Sequence, residues 1–132
     1  MAGVRAFEGL TAWQLAAQLR DRILALTDGR RALWNADFNK DIRRAARSSP
    51  SNLAEGFAAF YPREFARFGR IARRSIVETR NHLLDAQTQK YFPEQELKEL
   101  IHLTFRAQKA TTAPIKYLDS CDGRPPAGWN VK

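Results

Sequence analysis

The chain has 132 residues, of which 44% are hydrophobic and 27% are charged, a balance typical of one compact globular domain and not of a disordered protein. A single cysteine, Cys121, excludes an internal disulfide, and no uninterrupted run of about 18 apolar residues indicates a membrane span. The formal charge is +8, and residues 30–80 hold most of it, with twelve basic and five acidic side chains. We therefore expect a cytoplasmic protein without a membrane partner, whose central positive potential can attract nucleic acid or another polyanion.

The spacing of apolar residues predicts four amphipathic helices and no β-strand. These helices are expected over about residues 11–27, 35–60, 62–90 and 93–119. Short connections between such helices favour an all-α fold, an antiparallel up-down-up-down four-helix bundle that buries the apolar stripes against one another. We expect one bundle domain over residues 1–120. Residues 121–132 have no period and two consecutive prolines, and are expected to form a flexible C-terminal tail.

Local signals predict where the helices begin. The segment Thr11-Ala-Trp-Gln14 has the form of a capping box, in which the threonine side chain would cap the first helix. Pro62 and Pro93 each stand at the start of an apolar period and are followed by carboxylates in the first turn. Both features are typical of helix N-termini, so we expect the third and fourth helices to begin at these prolines.

Two prolines lie inside predicted helices. Pro50 removes the backbone donor that would bond the carbonyl of Ala46, so the second helix must either kink or break there. We favour a kink, because the apolar stripe keeps its phase on both sides of the proline. Pro114 is expected to bend or end the fourth helix for the same reason.

Residues able to carry catalysis or bind a metal are sparse. His82 and His102 stand alone on different predicted helices, and no Glu-x-x-His or Cys-x-x-Cys spacing occurs. Ser48, Ser49 and Ser51 have no histidine base near them in sequence, and no glycine-rich phosphate loop is present. We therefore expect no metal, no cofactor and no enzymatic activity.

Seven arginines form the candidate binding surface. Four of them belong to the third helix and recur at spacings of four, three and four, which places them in one column opposite the apolar stripe. This arginine column consists of Arg63, Arg67, Arg70 and Arg74. The candidate nucleic-acid-binding residues, called the arginine set below, are Arg43, Arg44, Arg47, Arg63, Arg67, Arg70 and Arg74. Such a column can be an ordinary solvated face, and the third helix has no outward aromatic side chain between its arginines. Because neighbouring like charges repel, however, a phosphate backbone or an acidic protein surface would relieve a destabilising interaction.

Small residues on the second helix predict close packing. Ala45, Ser49, Asn52 and Gly56 recur at spacings of four, three and four, so another helix can approach their common face. Asn52 and the serines can also bond carbonyls that Pro50 leaves free. A catalytic role for Asn52 with Glu55 is the alternative, but a kink and intersubunit-contact role is favoured because catalytic partners are missing. The candidate packing or interface residues are Ala45, Ser49, Pro50, Asn52, Glu55 and Gly56.

Several stretches together resemble one known family. Residues 42–46 read Ile-Arg-Arg-Ala-Ala, and residues 48–57 read Ser-Ser-Pro-Ser-Asn-Leu-Ala-Glu-Gly-Phe. The opening of the chain contributes Phe7, Leu10, Trp13 and Gln14, in the pattern F-x-x-L-x-x-W-Q. Over roughly residues 7–118 the chain resembles the four-helix bundle family named for reading frames inside intervening sequences of bacterial 23S ribosomal RNA genes.

This resemblance implies a short antiparallel bundle that assembles as a ring, with a homopentamer the expected state and no established enzymatic activity. Related bundle proteins that accompany reverse transcriptases in diversity-generating retroelements bind nucleic acid, which supports the interpretation of the arginines. Where family members commonly have an acidic run in the third helix, residues 74–80 of this chain read Arg-Ser-Ile-Val-Glu-Thr-Arg. Two functions stay open at this point. One is low-specificity RNA or DNA binding, with the arginines on a ring channel or an outer wall; the other is a scaffold or adaptor that binds a protein.

Overall fold

The computed structural model describes residues 4–29, 35–59 and 61–121, in which four α-helices follow one short 3-10 helix. The 3-10 helix covers Phe7–Gly9, and the α-helices are α1 (Thr11–Leu26), α2 (Ala36–Phe57), α3 (Pro62–Gln89) and α4 (Glu94–Asp119). No β-strand occurs in the described ranges. α2 and α3 each pack against the helices before and after them, and α1 also packs against α4. The predicted all-α up-down-up-down bundle is therefore confirmed. The predicted tail lies outside the described residues, apart from Cys121.

The core consists of the apolar stripes that the helical period predicts. One end of the bundle is filled by fully or almost fully buried side chains from all four helices: Leu19, Ile23, Leu26, Phe38, Ile42, Leu83, Leu97 and Leu100. The other end is filled by Leu10, Phe57, Phe65, Ala66 and Leu118. Burying a side chain such as leucine or isoleucine contributes about 1.5–3 kcal/mol. The two clusters therefore hold the four helices together at both ends of the bundle.

The start of α1 corrects one prediction. The residue that caps α1 is Leu10, Thr11 is its first helical residue, and no side chain caps the helix, so the predicted capping box is wrong. The 3-10 helix leads directly into α1, and Leu10 is buried in the core. Gln14 instead donates its side-chain amide to the carbonyl oxygen of Glu8, at 2.9 Å. Packing of Leu10 therefore sets where α1 begins.

The starts of α3 and α4 follow the predicted proline signals. α3 begins at Pro62, with Tyr61 as its N-cap and Glu64 in the first turn. α4 begins directly after Pro93. A proline at the first helical position loses nothing, because that N–H has no intrahelical partner in any case.

Both internal prolines lie within continuous helices. α2 runs through Pro50 without a break, and α4 runs through Pro114 and continues to Asp119, so the alternative that Pro114 ends the helix is wrong. The hydroxyl of Ser49 donates to the carbonyl oxygen of Ala46, at 3.4 Å. That carbonyl is the one that Pro50 leaves without its helical donor, so a long, weak hydrogen bond partly replaces the lost one.

Candidate nucleic-acid interface

The close contact between α2 and α3 positions the candidate surface. The hydroxyl of Ser75 donates to the hydroxyl of Ser48 at 2.7 Å. Near the end of α2, a Cβ atom on Gly56 would lie 2.8 Å from Cδ1 of Phe65 and 2.8 Å from Cβ of Phe68, so only glycine permits this approach. The two helices are therefore held in a fixed register. This register also fixes the relative positions of the exposed residues on either side of the contact.

The predicted packing residues divide by burial. Four are buried, namely Ala45, Ser49, Pro50 and Gly56, while Asn52 is half-buried and Glu55 is exposed. The side-chain amide of Asn52 donates to the carbonyl oxygen of Ser48 at 2.8 Å and to the hydroxyl of Ser48 at 3.0 Å. These bonds hold the hydroxyl of Ser48 where it accepts from Ser75, so Asn52 stabilises the contact between α2 and α3.

Three arginines of the set are exposed and have no ion pair with any residue in the described ranges. They are Arg47, Arg63 and Arg74. Arg47 and Arg74 directly precede the two serines whose hydroxyls touch, so both emerge at the same level of the bundle. Arg63 lies at the start of α3. The exposed arginines thus follow the outer surface of the α2–α3 pair.

Three further arginines of the set form ion pairs at the surface. The pairs are Arg44 with Glu78 at 2.7 Å, Arg67 with Glu64 at 2.7 Å, and Arg70 with Asp119 at 2.6 Å. The hydrogen bond from Arg67 lowers the pKa of Glu64, and the hydrogen bond to Glu78 raises the pKa of Arg44. Ion pairs between exposed side chains contribute little to stability, so an anionic ligand can replace these carboxylates at little cost.

Arg43, the seventh member, is half-buried and stabilises the end of α1. Its guanidinium donates to the hydroxyl of Thr27 at 2.9 Å, and to the carbonyl oxygens of Leu24 at 3.3 Å and Thr27 at 3.4 Å. A positive charge at these carbonyls is favourable, because the C-terminus of a helix carries partial negative charge. Arg43 therefore stabilises the fold, a role that the spacing of the arginines in the sequence does not predict.

This difference predicts that Arg43 contributes to the stability of the fold and that Arg47 does not. We expect Arg43→Gln to reduce the free energy of unfolding by roughly 1 kcal/mol, because charge-assisted hydrogen bonds to α1 are lost. Arg47→Gln, one turn further along α2, removes the same charge from an exposed position and should leave the unfolding free energy unchanged within about 0.5 kcal/mol. Urea unfolding of the two variants measures this, and equal midpoints would show that the contacts of Arg43 contribute nothing.

A shallow cationic cleft of about 540 Å³ on α2 adds residues that the sequence analysis did not select. Its lining residues are Lys40, Arg43, Arg44, Arg47, Ser48 and Ser51. Lys40, Arg44, Arg47 and Ser51 follow spacings of four, three and four, the same pattern that marked the column on α3. The same spacing, applied to α2, would have predicted that Lys40 and the exposed residue Ser51 lie on one face with Arg44 and Arg47.

A second missed feature is an exposed aromatic ring on α4. The guanidinium carbon of Arg80 lies 4.0 Å from the ring centroid of Phe105. Arg80 also donates to the side-chain oxygen of Gln108 at 2.7 Å. Burial lowers the pKa of Arg80, but a guanidinium remains charged at neutral pH. The sequence of α3 alone does not reveal this ring, because the arginine and the phenyl group belong to different helices.

The two histidines lie in different surroundings. His82 packs edge-on against Phe38, and its Nε2 atom lies 3.8 Å from a carboxylate oxygen of Glu78. His102 is exposed and lines a shallow cleft with Glu99, whose carboxylate accepts a hydrogen bond from Arg22 at 3.0 Å. No hydroxyl or thiol lines that cleft. Within the described ranges, no group of three or more His, Cys, Asp or Glu residues could hold a metal ion.

An apolar cavity of about 190 Å³ is lined by residues of all four α-helices. Its walls include Leu10, Gly69 and Ile115, and neither histidine lines it. The hydroxyl of Thr111, one of its few polar groups, donates to the carbonyl oxygen of Ala107 at 2.8 Å.

None of the described helices combines the length and the apolar character needed to cross a bilayer.

These features define an all-α protein of the four-helix bundle class with an arginine-rich outer surface on two adjacent helices. Residues 8–113 match the family model of the 23S rRNA-intervening sequence proteins, so the chain belongs to that family. The resemblance seen in the sequence is thereby confirmed.

A solved structure illustrates the similarity of the fold over most of the chain. It is the 1.70 Å crystal structure of a protein with unknown function from the S23 ribosomal protein family of Bacteroides thetaiotaomicron. The two share 18% sequence identity with a TM-score of 0.71, over 80% of this chain and 99% of the other. At this identity the similarity shows the fold alone. No curated protein matches the chain.

Proposed function

We propose that this protein is a non-enzymatic helical bundle that binds the phosphate backbone of RNA or DNA, with low sequence specificity, through the six members of the arginine set other than Arg43. The observation that carries the proposal is the presence of three exposed arginines, Arg47, Arg63 and Arg74, without an ion pair in the described part of the chain. Guanidinium groups bind phosphate oxygens through two parallel N–H donors, which makes arginine well suited to this ligand.

The extent of the surface fits a nucleic-acid backbone. Arg63 and Arg74 lie eleven residues apart on α3, about 16 Å along the helix axis at about 1.5 Å per residue. Successive nucleotides in one strand of a duplex are about 3.4 Å apart, so the column spans about five of them. Arg44, Arg67 and Arg70 can join by exchanging their carboxylate partners for phosphates. Phosphate contacts of this kind position a ligand without reading its sequence.

Self-association would strengthen such binding. The homopentamer implied by the family resemblance would place several arginine sets on one particle, and linked sites bind a long polyanion far more tightly than one site does. The alternative function, a scaffold or adaptor for a protein partner, is favoured by Val77 and Leu84, which are 40% and 45% exposed. They lie seven residues apart on α3 and therefore share one face.

Salt dependence separates the two functions. We expect labelled RNA and DNA to bind at about 50 mM salt and to lose about 10³-fold in affinity by about 200 mM, as six phosphate contacts predict. The titration should use protein whose mass has been measured by light scattering. A hydrophobic protein interface would respond little to salt. Absence of nucleic-acid binding at about 50 mM salt would therefore exclude the proposal and leave the adaptor.

A further inference from the structure

We propose that the cleft between α3 and α4 binds an unpaired base of a single-stranded nucleic acid by stacking it on Phe105, an inference that rests on the proposed phosphate-binding function and specifies its ligand. Single-stranded RNA or DNA is thus the occupant to which the observations point.

The ring of Phe105 is presented for stacking. This residue is 55% exposed, although phenylalanine is normally buried. The guanidinium of Arg80 lies over the ring, 4.0 Å from its centroid, and is held there by hydrogen bonds to Gln108 at 2.7 Å and Thr104 at 3.4 Å. Since Arg80 fixes the ring from one side, a base can stack without first ordering the side chain, which lowers the entropic cost of binding.

Cations surround the ring. The cleft measures about 620 Å³ and is lined by Arg80, Phe105, Gln108, Lys109, Thr112, Ala113 and Lys116, with no acidic residue among them. Lys109 follows Phe105 by four residues and Lys116 follows Lys109 by seven, so both lysines share the face of α4 that carries Phe105. Both are exposed and have no ion pair with a described residue. The cleft therefore combines an aromatic platform with uncompensated positive charge, the combination typical of proteins that bind single strands.

The neighbouring contacts connect this cleft with the arginine column. Arg70 reaches Asp119 of α4, and Arg80 reaches Gln108 of the same helix. Arg73 and Arg74 lie between these two positions on α3, so positive charge continues from the column to the cleft. In a duplex the faces of the bases are covered by their neighbours, and only an unpaired base can stack on a side chain. The cleft therefore favours a single strand over a duplex of the same charge.

The test compares two probes of equal charge: an oligouridylate of about 12 nucleotides and an abasic strand of the same length. We expect the native protein to bind the oligouridylate roughly 5- to 150-fold more tightly, which is the gain in affinity that one stacked base supplies. Phe105→Leu retains an apolar side chain but not the aromatic face. It should reduce oligouridylate affinity to that of the abasic strand while leaving the salt dependence of binding unchanged. Tyr117→Leu, which alters an exposed aromatic residue of α4 outside the cleft, should change neither.

Each other outcome has a defined meaning. Equal affinity of the native protein for the two strands would overturn the stacking site and leave the backbone-binding function intact. Failure to bind either strand would overturn both. A Phe105→Leu variant with a lower particle mass by light scattering would show that the ring contacts a second copy of the chain, which would also overturn the stacking site.

Discussion

Replacing Arg47, Arg63 and Arg74 together with glutamine is expected to reduce nucleic-acid affinity by about 10²-fold at roughly 0.1 M salt. Each lost phosphate contact also lowers the slope of log affinity against log salt by about 0.9, so the slope for duplex DNA should fall by about 3. The fold should remain, because these side chains are exposed and have no ion pair within the described residues. Fluorescence titrations at four salt concentrations measure both quantities.

A matched variant separates position from total charge. Arg20, Arg22 and Arg106 belong to α1 and α4, and replacing them with glutamine removes the same number of positive charges from another side of the bundle. Arg20 and Arg22 form surface ion pairs with Asp21 and Glu99, so the stability of this variant is measured as well. This control should lower the affinity much less, since it affects only the overall potential. If both triple variants lose affinity equally, binding follows net charge and the arginine set is not the site. An unchanged affinity in the first variant would contradict the proposed function directly.

The second large effect is expected at Gly56. In Gly56→Ala the new Cβ would meet Cδ1 of Phe65 and Cβ of Phe68, each at 2.8 Å. The Phe65 ring is buried and packs edge-on against Phe57, and the Cβ atom of Phe68 can move only with the backbone of α3. The two helices must therefore separate slightly. We expect a loss of about 1–3 kcal/mol in the free energy of unfolding, measured in urea.

Gly69→Ala provides the control within α3. Its Cβ would lie 3.0 Å from Cγ1 of Ile115, but both residues border the apolar cavity of about 190 Å³, so Ile115 has room to shift. Alanine also stabilises a helix interior by up to about 1 kcal/mol relative to glycine. This variant should be as stable as the native protein or more so. A Gly56→Ala protein of native stability would show that the α2–α3 contact is looser than its geometry indicates.

The motif that identifies the family is used for packing in this chain. Ser48 bonds Ser75 across the helix contact, Asn52 holds Ser48, and Gly56 permits the approach of α3. The residues proposed to bind nucleic acid lie beside this motif and project outward from the same two helices. The motif therefore fixes the spacing of α2 and α3, and the arginines on their outer faces determine the charge that the surface presents.

The sequence by itself determined the four helices, their order, and the outward direction of the arginine column on α3. These properties follow from the helical period and from the proline signals at Pro62 and Pro93, all of which act within a few residues. The family motif was also visible, because it is a contiguous string. The failed capping box at Thr11 marks the limit of local signals, since the burial of Leu10 decides where α1 begins.

Only the tertiary structure decided which arginines have partners. Arg43 bonds a carbonyl 19 residues away, Arg44 pairs with a carboxylate 34 residues away, and Arg70 pairs with one 49 residues away. The ring of Phe105 likewise meets the guanidinium of Arg80 from another helix. A helical period assigns each residue to a face of its own helix, but it contains no information about which faces meet. Those contacts depend on how the four apolar stripes pack. The same packing therefore decides which arginines bond other parts of the protein and which remain exposed to a ligand.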